Sequence, residues 1–111
     1  MSRDRHILIA TPERSLSDFL EIFFRGQGYE VTALSTVREA VLCLENADID
    51  LVVADVQRPG ESGFEVIRSA ASLEVLAVAM AESSRPEMAV SAMREGAYDC
   101  VSKPFKADDL R

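Results

Sequence analysis

The stretch Leu51-Val52-Val53-Ala54-Asp55, followed by Val56-Gln57-Arg58-Pro59-Gly60-Glu61-Ser62-Gly63, decides the fold. Four consecutive apolar residues, two of them β-branched, read as a strand buried on both faces, because a strand with one wet face would alternate. The run ends on a carboxylate. Gln57 to Gly63 is rich in turn formers, and Phe64-Glu65-Val66-Ile67-Arg68-Ser69-Ala70-Ala71 then forms a short helix.

The same unit recurs outward in both directions. Ile7-Leu8-Ile9-Ala10 is a second strand of the doubly buried kind, followed by Leu16, Phe19, Leu20 and Phe23 at helical spacing and a stop at Gly26-Gln27-Gly28. Tyr29 to Leu34 alternates weakly, as a less buried strand does; Ser35 is placed to cap a helix striped with Val37, Ala40, Val41 and Leu44. Val75 to Met80 is another buried strand. Ser84 is placed to cap a helix carrying Met88, Ala89, Ala92 and Met93 that ends at Gly96, and Tyr98-Asp99-Cys100-Val101 makes a last short strand. Five strand–helix units of this kind predict a parallel sheet covered by helices on both faces. Function in such sheets collects at the carboxyl ends of the strands. The residues to question are Thr11, Pro12 and Glu13, then Asp55, Ala81 and Glu82, and finally Ser102 and Lys103.

Composition narrows the function classes. The 111 residues suit one domain, and 48% hydrophobic content excludes a disordered chain. A net charge of −7 argues against nucleic acid or an anionic membrane as direct partners, because both demand clustered Lys and Arg. Cys43 and Cys100 lie in apolar runs without a partner at metal-ligand spacing, and read as small buried hydrophobes in a reducing compartment. No apolar run is long enough to span a bilayer or to form a signal-peptide core. The expectation is a soluble cytoplasmic protein.

Asp55 and Lys103 carry the chemistry. Each ends a strand, and a carboxylate among Val and Ala is costly unless it has a partner or a task. Pro104 after Lys103 offers a cis peptide that would turn the lysine inward. The two residues can act together, Asp55 as a nucleophile toward phosphorus and Lys103 as a clamp on the transferred group. They read equally well as a structural ion pair.

With Glu95-Gly96-Ala97-Tyr98-Asp99 and Ser102-Lys103-Pro104-Phe105 added to the Asp55 to Gly63 stretch, the chain resembles the receiver domain of two-component response regulators over essentially its whole length. The resemblance implies a flavodoxin-like α/β fold with five parallel strands in the order 2-1-3-4-5. It also implies Asp55 as the phospho-acceptor, Lys103 as the active-site lysine and the backbone of Gln57 as a metal ligand.

The departures are as informative. Receivers place two acids directly after the first strand to hold Mg²⁺, and here those positions are Thr11 and Pro12. Glu13 lies one step beyond. Mg²⁺ wants near-octahedral oxygen ligation, so Asp55, Glu13 and the Gln57 carbonyl predict weak binding or none, and no other cofactor is expected. The hydroxyl that receivers carry after the fourth strand corresponds to Ala81, and their switching aromatic to Cys100. These changes predict an atypical pseudo-receiver, non-enzymatic, acting through protein contacts rather than phosphorylation. The alternative is a working phospho-acceptor charged by a histidine kinase.

Expected partners are such a kinase or another signalling protein, an attached output domain, or a second copy docking through the face of helix 4, strand 5 and helix 5. That face includes Arg85, Glu87, Arg94, Glu95, Asp99 and Val101. An aspartate-nucleophile phosphatase would need a second Asp where Gln57 stands, and a flavodoxin-like cofactor binder would need a glycine-rich loop at residues 11–15. His6, the only histidine, reads as an ordinary surface residue at the wrong end of its strand. Residues 106–111 read as the start of a fifth helix that is cut short, with apolar surface left bare beside strands 1 and 5.

Overall fold

The computed structural model describes residues 5–56, 62–82 and 86–103. Among the described residues five strands, β1 (His6–Ala10), β2 (Glu30–Leu34), β3 (Leu51–Asp55), β4 (Leu76–Glu82) and β5 (Asp99–Lys103), alternate with four helices. The helices are α1 (Arg14–Gly26), α2 (Val37–Asn46), α3 (Ser62–Ser72) and α4 (Pro86–Arg94). All strand pairs are parallel, as the alternation of elements implied, and the sheet order is β2-β1-β3-β4-β5, as the receiver resemblance implied.

Why the apolar runs are continuous is visible in the two cores. Along β1, Leu8 and Ala10 face a core completed by α2, α3 and α4, where Ala40, Leu44, Ile67, Ala70, Met88 and Ala92 are buried. Ile7 and Ile9 face the opposite core with Leu20 and Phe24 of α1, Val31, Val53 and Met80. A strand buried on both sides has no polar side to show. No described helix is long and apolar enough to cross a membrane.

Local differences from the sequence reading have local causes. The cap of α2 is Thr36, not Ser35: its hydroxyl accepts the Glu39 N–H at 3.2 Å and donates to the Glu39 carboxylate at 2.9 Å. On α1 the buried aromatic is Phe24, whereas Phe19 is exposed and Phe23 only packs at the margin of the core. Met93 on α4 is exposed, while Met88 and Ala92 carry the burial. Cys43 and Cys100 are free and only half-buried. Burial raises both thiols above their ordinary range, with the Asp99 charge adding to the rise at Cys100. Asp99 accepts the Cys100 N–H at 2.8 Å. β4 and β5 each extend two residues further than their apolar runs, which brings Lys103 into register beside Glu82. Ser84, Arg85, Pro104 and residues 106–111 lie outside the described residues, and so does Gln57.

Candidate functional site

The carboxyl ends of β1, β3 and β5 bring Thr11, Glu13, Asp55 and Lys103 together. β1 and β3 are neighbours, so the residue leaving β1 stands beside the last residue of β3. Thr11 is buried and donates its hydroxyl to Asp55 Oδ2 at 2.7 Å. From β5, Lys103 Nζ donates to Asp55 Oδ1 at 2.9 Å. The same ammonium pairs with Glu13 Oε2 at 3.4 Å. Glu13 in turn donates its backbone N–H to the Thr11 hydroxyl at 3.1 Å. The Asp55 side chain is 0% exposed and that of Lys103 13%, so this is a desolvated pair with an open rim at Glu13.

Desolvation of this kind would lower the lysine's pKa. The hydrogen bond and charge of Asp55, joined by Glu13, outweigh it and hold Lys103 above its ordinary 10.5. Lys103 therefore keeps its positive charge at neutral pH and stands against a carboxylate that would otherwise be buried without a cation.

Close packing fixes the carboxylate's backbone. Gly63, at the start of α3, sits so near the end of β3 that a Cβ there would fall 2.1 Å from the Asp55 carbonyl oxygen. Beside it opens a cleft of about 360 Å³ lined by Thr11, Pro12, Thr36, Asp55, Gly63 and Val66. A larger hollow, about 660 Å³, lies at the amino ends of the strands beside Phe23, Phe24 and Leu76, away from Asp55.

Magnesium does not fit the donors on view. Thr11 presents its hydroxyl hydrogen to the carboxylate, Pro12 is exposed and carries no acid, and Glu13 is paired with Lys103. Among the described residues no three His, Cys, Asp or Glu side chains gather as a metal site would require.

The chain matches the response regulator receiver domain model over residues 7–111. It belongs to the response regulator receiver domain family. Response regulator SaeR of Staphylococcus aureus is 29% identical over 107 residues, covering 95% of this chain and 46% of that protein. This receiver thus spans about half the length of the curated relatives it matches. A receiver domain protein from Clostridium thermocellum is similar at 26% identity and a TM-score of 0.83, over 96% of this chain and 87% of that one. A CheY-like receiver protein from Methanospirillum hungatei, 24% identical, shares the fold at a TM-score of 0.87 over 97% and 88% of the two chains. These matches cover the receiver family as a whole and do not single out an atypical branch.

Ala81 is buried at the end of β4 and offers no hydroxyl; Cys100 is half-buried on β5, and neighbouring Tyr98 is 68% exposed. On the α4–β5 side Glu87, Arg94 and Asp99 are exposed. Two residues expected there behave differently: Glu95 pairs with Arg68 of α3 at 3.0 Å, and Val101 packs against the α1-side core. His6 is not an ordinary surface residue. It is half-buried, its Nε2 lies 2.7 Å from the Thr32 hydroxyl, and its N–H donates to Asp50. Thr11 is the residue whose part was missed. Its signal was available: a hydroxyl directly after a buried strand, next to a strand that ends on Asp.

Proposed function

We propose that this receiver serves two-component signalling as an atypical module, with Asp55 held in a closed, metal-poor site and its output carried by protein contacts. The observation that supports this reading is the engagement of both Asp55 oxygens by the chain itself, Oδ2 by Thr11 and Oδ1 by Lys103. Phosphoryl transfer to a carboxylate depends on positioned positive charge around the phosphorus, and one missing electrostatic contributor costs on the order of 10²-fold or more. Here the acid pair is replaced by Thr11 and Pro12, and the hydroxyl position by Ala81. The module is read as non-enzymatic. Its partners are a histidine kinase or another signalling protein, and a longer chain would add an output domain.

The decisive experiment incubates the protein with Mg²⁺ and acetyl phosphate, or with beryllofluoride, and follows intact mass and amide chemical shifts. No phosphoryl-sized mass increase and no saturable shifts around residue 55 are expected. An adduct abolished by Asp55→Asn overturns the reading in favour of the second one, a working phospho-acceptor. That second reading draws support from the retained Asp55–Lys103 contact at 2.9 Å.

A further inference from the structure

The four residues of the site form a closed circuit. Starting at Glu13, the backbone N–H reaches Thr11 Oγ1 at 3.1 Å, and the Thr11 hydroxyl reaches Asp55 Oδ2 at 2.7 Å. Lys103 bonds Asp55 Oδ1 at 2.9 Å and pairs back to the Glu13 carboxylate at 3.4 Å. Glu13 stands at the N-cap of α1, yet its side chain makes no capping hydrogen bond. A capping acid normally turns toward the first helical N–H groups, so the carboxylate is diverted to the lysine. The circuit links the β1–α1 turn to the ends of β3 and β5 without any group from outside the chain.

We infer that Thr11 is the specificity-determining residue of this site: its hydroxyl takes the Asp55 oxygen that a divalent cation would use, and through Glu13 it latches the β1–α1 turn shut. This deepens the closed-site reading above and rests on it. Several features point the same way. A threonine hydroxyl has one hydrogen to give, and here it is directed at a carboxylate, a charge-assisted bond of the stronger class. Its lone pairs face the Glu13 N–H, which fixes the hydrogen's direction. Lys103, meanwhile, neutralises one of the two carboxylates it touches, so the circuit carries one net negative charge and needs no cation to hold its acids together. A cation approaching Oδ2 would compete with the Thr11 hydrogen bond for that oxygen. The test is therefore whether Thr11 acts as a latch or is merely an absent ligand.

Three variants at one position separate these roles, read by amide hydrogen exchange at Thr11 and Glu13 and by Mg²⁺ titration. Thr11→Val keeps shape and removes the hydroxyl. It is expected to lose protection in the turn by about tenfold or more, the fold-change that corresponds to ~1.4 kcal/mol for a bond to a charged acceptor. Thr11→Ser keeps the hydroxyl and is expected to stay within about threefold of the parent protein, a bound set well inside that change. Thr11→Asp is expected to bind Mg²⁺ about tenfold more tightly or better. The inference falls if Thr11→Val protects the turn as the parent does, or if Thr11→Asp gains no affinity; should either variant fail to fold, the other decides. A phosphoryl adduct on the parent protein would overturn the closed-site reading instead, and the latch would then stand or fall on the Thr11→Val exchange alone.

Discussion

At the amino end of β1, His6 gives its N–H to Asp50 at 2.8 Å and its ring nitrogen meets the Thr32 hydroxyl, while Asp50 N–H and Glu30 N–H bond to the backbone carbonyls of His6 and Arg5. At the carboxyl end, Thr11, Asp55, Lys103 and Glu13 bond mostly side chain to side chain around a buried charge. Both ends use a threonine, an aspartate and a basic side chain. The amino end joins the histidine ring to the threonine and gives the aspartate to a main-chain N–H, pinning β1 against β2 and the turn before β3. The carboxyl end keeps them for one another, beside a cleft. Polar groups tied to backbone have a structural partner already; a charged side-chain network at a strand end is where chemistry or its suppression resides.

Substitutions that break this contrast should differ in size and in kind. Lys103→Met leaves the Asp55 carboxylate buried without its cation and is expected to cost about 3 kcal/mol in denaturant unfolding. Lys103 sits above 10.5 in the folded protein because of Asp55 and Glu13, so its contribution is fully present below that pH and is lost as pH rises through the elevated folded value. Stability measured by denaturant should fall above about pH 10.5 in the parent protein, and that part of the fall should vanish in Lys103→Met. Gly63→Ala forces a Cβ against the Asp55 carbonyl and is expected to cost about 2 kcal/mol, with amide shifts centred on residue 55.

At the amino end, Thr32→Val removes one partly buried hydrogen bond. About 1 kcal/mol should be lost in unfolding experiments, with no change in the amide shifts of Thr11, Glu13 or Asp55. If those shifts move, the two ends are coupled and the contrast fails. Smallest of all, Arg68→Ala breaks an exposed ion pair with Glu95 and should shift stability by no more than about 0.5 kcal/mol.

The parallel sheet was legible because burial on both faces leaves short period-free apolar runs between amphipathic segments, while the strand order came from the receiver resemblance. Cap and core positions were less so. Ser35 and Thr36 are both cap residues, and only the Glu three positions after Thr36 distinguishes them. Phe23 and Phe24 differ by one step around a helix whose orientation is set by the sheet beneath it. His6 was misjudged because its partner Thr32 depends on strand register, a non-local quantity. Asp55 and Lys103 were found from their places at strand ends. Thr11 was read only as a lost acid, since a template comparison registers what a residue fails to supply and not the bond it makes instead.

One small contact on β5 reaches beyond the single molecule. The last strand of a sheet offers unpaired donors and acceptors to any extended chain that meets it. On β5, Asp99 folds its carboxylate onto the N–H of the next residue at 2.8 Å, so that donor is already taken and a negative charge stands in front of it. The strand carries its own guard against edge-to-edge polymerisation.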